Sequence, residues 1–479
     1  MLKVLFAAAE GVPFYKTGGL GDVAYALPQA LHAAGVDIRV VLPLYSRLFP
    51  DAYREQLRPL ARFSLKFGTQ EKYVGVLTLK LHEVTYYFID NEEFFGRNTL
   101  YGEWDDGGRF GFFQMAIIEM LQVIDFIPDI LHVNDWHTAF IPVLLADKYQ
   151  WIKALAGIKT QLTIHNLQFQ GWFPQSILED VFGIGRQFAN DDGFIQAGSV
   201  NYLKGGINFA DLVTTVSPSY AGEIQTPAFG EQLDGTLRKQ NWKLRGILNG
   251  IDTALYDPQT DKNLYANYSA DDLAGKGQDK LALQQEFGLP ETSVPLFGVV
   301  SRLTRQKGMD LLVDALNQIL PGTEMQIVIL GTGDDDLERH FEDLHARYAG
   351  KVATRIGFDV ALAQRIYGGA DFFVMPSAFE PSGLAQMMAM RYGALPVVHE
   401  TGGLRDSVVA YDATSGAGDG FSFWEYNSGV LADTLRRAAE VYTQSPEIFA
   451  HLQQTAMAKD FDWVHAAQDY LQGYQNLLN

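Results

Sequence analysis

Short apolar runs alternate with amphipathic stretches along most of the chain. "KVLFAAAE" near the N-terminus is a continuous apolar run closing on a carboxylate, and it predicts a buried strand. "GDVAYALPQALHAAG" follows, with Val23, Leu27, Ala30 and Leu31 at helical spacing and a stop at Gly35. "DIRVVLPLY" reads as the next strand, and "DILHVND", "TQLTIHN" and "DLVTTVS" as later ones, each ending on a polar residue. The second half repeats the rhythm. "PLFGVVSRL" is a strand, "GMDLLVDALNQIL" a helix and "MQIVILGTGD" a strand with its turn, while "FFVMPS" and "LPVVHE" are strands with a helix between them. Strands alternating with helices imply parallel sheets. The pattern predicts an α/β protein of two doubly wound, Rossmann-like domains facing a deep cleft. They divide near "GILNGIDTALYDP" into residues 1–250 and 251–460, and 461–479 is a helix expected to pack back on the first domain. Ligands of such sheets bind beyond the carboxyl ends of the strands. The polar residue closing each strand is therefore a site candidate.

Composition narrows the class. The 479 residues are 47% hydrophobic and 20% charged, as in ordinary globular proteins. No run approaches the roughly 18 apolar residues that span a bilayer, so no membrane association is expected. "MLKVLFAAAE" resembles a signal peptide only until Glu10, and it carries no cleavage pattern. The absence of cysteine excludes a disulfide scaffold and a thiolate metal site, and makes a cytoplasmic location the default. A net charge of −20 argues against a broad nucleic-acid-binding face. An anionic small substrate would need a locally positive site.

Several motifs supply one. In "KTGGLGDV", Gly18, Gly19 and Gly21 let a ligand approach the backbone, the following helix offers N–H groups, and Lys16 adds a full charge. The lysine precedes the glycines, so this is neither a P-loop nor the dinucleotide fingerprint. A plain strand-to-helix turn with a solvated lysine fits equally well. In "VSRLTRQKGMDLL", Arg302 and Lys307 stand five residues apart across a turn and together would neutralise a diphosphate; a solvated basic turn is the other reading. "FEPSGLAQMMAMRYG" places Glu380 after a strand, and Pro381, Ser382 and Gly383 read as the opening of a helix that Ser382 would cap. "HETGGLRDSV" brings a second glycine loop at Thr401, Gly402 and Gly403. Asp135 in "HVNDWHTA" and His165 in "TIHNLQFQG" close two strands, with Trp136, Trp172 and Phe173 nearby as flat faces for sugar rings or as core. Asp334, Asp335 and Asp336 read as helix-start acids complementing the dipole rather than a metal-binding DxD. His132 and His137 lack a convincing third ligand. No metal and no cofactor is expected.

Eight motifs in order along nearly the whole chain resemble the bacterial glycogen synthases, retaining glucosyltransferases related to plant starch synthases: "KTGGLGDV", "HVNDWHTA", "TIHNLQFQG", "TVSPSYA", "GILNGID", "VSRLTRQKGMDLL", "FEPSGLAQMMAMRYG" and "TGGLRDSV". The resemblance implies a GT-B fold, ADP-glucose as donor and the non-reducing end of glycogen or another α-1,4-glucan as acceptor. It implies that Lys16, Gly18 and Gly19 meet the donor near its phosphates, that Arg302 and Lys307 stabilise the diphosphate, and that Glu380 contacts glucose. Asp135 and His165 would line the glucose pocket. Asn249 matches the asparagine of "LNG", and Ser382, Gly383, Thr401, Gly402 and Gly403 border the donor. Two positions depart from the family pattern: Phe358, beside the adenine, stands where a tyrosine is expected, and Ser382 where many members have cysteine. The resemblance also implies retention by a same-face route without a carboxylate nucleophile. A UDP-glucose-using or small-acceptor relative, or an inactive glucan- or nucleotide-binding one, would share many of these motifs.

Overall fold

The computed structural model describes all 479 residues. The chain forms two compact units, Met1–Asn249 with Trp463–Asn479, and Gly250–Asp462.

The first unit is built on a nine-stranded sheet. Its strands are β1 (Lys3–Ala7), β2 (Asp37–Pro43), β3 (Arg58–Phe67), β4 (Gln70–Leu81), β5 (Val84–Asp90), β6 (Ile130–Asn134) and β7 (Lys159–Ile164). A small separate sheet follows, of β8 (Trp172–Phe173), β9 (Ile195–Gln196) and β10 (Ser199–Asn201). β11 (Leu212–Thr215) and β12 (Leu244–Gly246) then complete the main sheet, in the order β12-β11-β7-β6-β1-β2-β5-β4-β3. From β12 to β5 every pairing is parallel. β4 and β3 add an antiparallel ribbon to the β5 edge. Parallel strands are covered on both faces, which is why β6, "ILHVN", is buried at every position, His132 included. His132 is satisfied there by the Tyr474 hydroxyl and Thr163 Oγ1, each at 2.7 Å. Tyr474 lies on the C-terminal helix Trp463–Leu478, which packs on the helix Gly19–Ala33.

The second unit has six parallel strands: β13 (Leu296–Val300), β14 (Gln326–Gly331), β15 (Val352–Ile356), β16 (Phe372–Met375), β17 (Leu395–His399) and β18 (Phe421–Phe423). Their order, β15-β14-β13-β16-β17-β18, is the Rossmann order 3-2-1-4-5-6. Both units reverse their strand order beside their first strand, between β1 and β6 in one and between β13 and β16 in the other. Crevices at the carboxyl ends of such switch-point strands are where doubly wound sheets bind ligands.

Candidate active site

In the first unit the switch point carries two loops. After β1 the chain runs through Glu10 to an exposed segment, Lys16 to Gly19, and into the helix Gly19–Ala33. Lys16 Nζ is held by both carboxylate oxygens of Asp22 in the first turn of that helix, at 2.9 and 3.1 Å. Both partners are well exposed, so the pair contributes little and can give way to an anion. A side chain at Gly21 would place its Cβ 2.5 Å from Lys16 Cβ, so that glycine is demanded by the chain itself. Gly18 and Gly19 face no such obstruction: a Cβ at Gly18 would come no nearer than 3.8 Å to Glu10, and one at Gly19 would meet nothing within 4 Å.

After β6, Asp135 sits at φ +54, in the left-handed region that few residues other than glycine, Asn and Asp adopt readily. Its carboxylate accepts from the His165 backbone N–H at 2.8 Å, tying the end of β6 to the end of β7. The Asn134 amide donates to the Ala7 carbonyl, which turns Asn134 Oδ1 toward His165; His165 Nε2–H donates to it at 2.9 Å. Both residues keep some accessible surface, yet their surroundings are dense protein. Burial therefore pushes the Asp135 carboxyl up to about 7, against the lowering effect of the His165 and Asn166 N–H groups, with the Glu10 charge adding to the rise. Burial pushes His165 down to about 3. Trp136 is buried and stacks on His137 with ring centroids 4.0 Å apart, while Trp172 is partly exposed. His137 is likewise buried, and burial lowers it to about 3. Asn249, beyond β12, is buried with an Oδ1 that no protein donor reaches.

In the second unit the switch point brings Lys307 and Glu380 into contact and leaves Arg302 exposed on the same loop as Lys307. Arg302 follows β13 and is exposed, with one hydrogen bond to Gln306 at 3.2 Å. Lys307, five residues on, forms an ion pair of 2.6 Å with Glu380, which follows β16. Glu380 is buried, and Ser377 Oγ donates to it at 2.9 Å. The second glycine loop serves this turn. A Cβ at Gly402 would lie 2.1 Å from the Glu380 carbonyl oxygen and one at Gly403 1.8 Å from that of Ser382. The Gly403 N–H donates to the Glu380 carbonyl at 3.0 Å. The close approach that requires these glycines is to the chain itself, and it fixes Glu380. Thr401 is buried where this short helix, Gly402–Ser407, begins. Phe358, after β15, is 84% exposed.

One expectation fails. Ser382 does not cap a helix: the helix starts at Ala385, behind Gly383 at φ +65 and Leu384, with no side-chain cap. The Ser382 hydroxyl reaches only the Gly383 carbonyl, at 3.5 Å. Ser382→Ala is therefore expected to cost clearly less than the ~1 kcal/mol of a true N-cap, which a thermal melt reads directly.

No group of three or more His, Asp or Glu side chains is arranged to hold a metal ion. The acidic run lies at a helix start: Asp334 precedes the helix Asp335–Arg347, and Asp335 and Asp336 occupy its first turn. Asp336 pairs with Arg305 at 2.8 Å. No helix is long and apolar enough to cross a membrane.

Comparison with known proteins fits this geometry. The model of the starch synthase catalytic domain matches residues 3–239, and that of the group 1 glycosyl transferases residues 294–440. A glycogen synthase of Lacticaseibacillus casei is 66% identical over 478 residues, covering 100% of this chain and 99% of its own. The chain belongs to the glycogen synthase family. A relative of the same name from Streptococcus gordonii is 50% identical over the full length of both chains. Among solved structures, the catalytic domain of starch synthase IV from Arabidopsis thaliana, bound to ADP and acarbose, is 36% identical with a TM-score of 0.91, covering 100% of this chain and 99% of that one. Sucrose-phosphate synthase from Thermosynechococcus elongatus, at 18% identity and a TM-score of 0.62 over 100% of this chain and 99% of its own, shares the fold. The two Rossmann-like units are thus those of a GT-B glycosyltransferase, and the family makes the protein a glucosyltransferase.

The residue that sequence reasoning missed is Glu10. It is 1% exposed, and its carboxylate accepts from the Thr17 N–H at 2.6 Å, Thr17 Oγ1 at 2.8 Å and the Gly21 N–H at 3.2 Å. A carboxylate closing a continuous apolar run was the available signal, since such residues are almost never buried without partners.

Proposed function

We propose that the protein transfers glucose from ADP-glucose to the non-reducing end of glycogen or another α-1,4-glucan with retention of anomeric configuration. The observation that carries this reading is the cation set at the second unit's switch point, Arg302 with Lys307 bridged to the buried Glu380. Two cations there answer the charge that develops on a departing nucleoside diphosphate. The ADP in the starch synthase IV structure supports the adenine nucleotide, and the acarbose there supports a glucan-like acceptor. In this reading the bond between glucose C1 and the phosphate oxygen breaks while C1 bonds to the acceptor O4. The acceptor proton passes to the departing phosphate on the same face, so no carboxylate nucleophile is needed. Arg302 and Lys307 hold the diphosphate, Glu380 a glucose hydroxyl, and Asp135 and His165 line the sugar. Asn249 offers its unpaired acceptor. Exposed Phe358 offers a face to adenine, and Ser382, Gly383, Thr401, Gly402 and Gly403 shape the turn around Glu380.

Lys16, Gly18 and Gly19 meet the donor phosphates in the same reading. Lys16→Gln is expected to raise the donor KM by about tenfold or more, the scale of one lost charged contact. Melting should change little, because the Asp22 pair is exposed. An unchanged KM with a lower melting temperature would make Lys16 structural.

The decisive assay incubates the protein with glycogen and either ADP-glucose or UDP-glucose. It follows nucleotide release and the linkage formed. ADP release with new α-1,4 linkages is expected; preference for UDP-glucose, or no glucan elongation, would refute the proposal.

A further inference from the structure

The loop that carries Lys16 is not held by its own helix cap. Gly18 stands at the N-cap position of the helix Gly19–Ala33 and offers no side chain. The anchor is Glu10, three residues beyond the end of β1. One carboxylate oxygen takes the N–H and hydroxyl of Thr17, with the Tyr101 hydroxyl at 3.3 Å, and the other takes the Gly21 N–H. These donors bracket Gly18 and Gly19. Tyr101 adds a second tie, because its hydroxyl also meets Thr17 Oγ1. No cation pairs with Glu10, and the nearest lysine in sequence, Lys16, is bound to Asp22 instead. A carboxylate buried against neutral donors alone is costly unless its hydrogen bonds are complete. Shape alone would be satisfied by a less costly side chain.

We propose that Glu10 is a positioning residue for the donor, fixing Thr17 and Gly21 so that Lys16 and the open backbone at Gly18 and Gly19 are set for the diphosphate. The inference rests on the functional reading above and deepens it. Glu10 does not touch the substrate; it acts through the loop. Its charge is also felt at the neighbouring strand end. The N–H groups of His165 and Asn166 and the Glu10 carboxylate act on Asp135, whose own charge is felt in turn by the Tyr101 and Tyr220 hydroxyls. Glu10 is thus the other carboxylate acting on Asp135, and removing its charge eases ionisation there.

The test compares wild type with Glu10→Gln and Glu10→Ala. Glutamine keeps the shape and one acceptor but turns an N–H₂ toward either Thr17 or Gly21. It is expected to raise the donor KM about tenfold with a much smaller change in kcat, and Glu10→Ala to raise it further, toward a hundredfold. If the Asp135 carboxyl sets the acid limb of kcat/KM, that limb should move to lower pH in Glu10→Gln, because a negative neighbour has gone. ADP binding by calorimetry is measured alongside and should weaken in parallel. A lower melting temperature with donor KM, ADP affinity and pH profile all unchanged would overturn the proposal and leave Glu10 structural. A wild-type protein that elongates glucan while the Gln variant matches it would overturn this inference alone. A wild-type protein that binds no ADP and elongates no glucan would overturn the functional reading and this one with it.

Discussion

Arg302→Ala is expected to lower kcat by about 10²–10³-fold, the usual consequence of removing one preorganised donor from a site of developing negative charge. The structure makes this a clean experiment. Arg302 is exposed, and its guanidinium makes a single hydrogen bond, to Gln306 at 3.2 Å. Losing it should leave melting within about 0.5 kcal/mol of wild type, as for ordinary surface substitutions. Lys307→Ala should cost as much activity, but it is not clean. Its ammonium pairs with Glu380 at 2.6 Å, and the two side chains are only 18% and 8% exposed. Truncating the lysine leaves a buried carboxylate supported by Ser377 alone, at a cost of about 3 kcal/mol in stability. Steady-state kinetics with a melt on each variant separates the two effects. Turnover near wild type in Arg302→Ala would place the diphosphate elsewhere.

The parallel strands were legible because burial on both faces leaves an uninterrupted apolar run, as in "ILHVN" and "QIVIL". Reading the polar residues that follow these runs marked Asp135, His165, Arg302 and Glu380 as candidates, and the folded chain places them in two pairs of neighbouring loops. The ribbon of β3 and β4 was not legible in the same way. β3 is mostly exposed, so its run mixes apolar with charged residues and carries no strong signal. Local rules also misread local form at two places. Pro381-Ser382-Gly383 looks like a helix start, yet Gly383 turns through positive φ and delays the helix to Ala385. "TGGL" at 401–404 looks like a copy of the Lys16 loop, yet its glycines are filled by the carbonyls of Glu380 and Ser382. Glu10 was read as the residue that ends a signal-like run. What makes it matter is a set of donors, from Thr17 and Gly21 to Tyr101, that only the fold assembles.

The acid limb of kcat/KM should have a midpoint near 7 and should belong to a carboxyl group, not to an imidazole. The free enzyme's essential groups set that profile. A histidine would ordinarily be assigned to such a midpoint. Here burial holds His165 near 3, so it stays neutral across the working range and donates from Nε2 to Asn134. Asp135, held up near 7 chiefly by burial, is the group that changes charge there. Its carboxylate form is the one that can stabilise positive charge developing on the glucose ring, so activity rises as pH passes upward through that value. Asn is the right replacement, because it tolerates φ +54 where most side chains are strained. Its side-chain oxygen can still accept the His165 N–H. Asp135→Asn should therefore fold normally, lose at least about 10²-fold in kcat and show no acid limb near 7. His165→Gln, whatever its loss of rate, should keep the limb. A profile in Asp135→Asn that still turns over near 7 would assign the titration to another group and remove Asp135 from the charge-stabilising role.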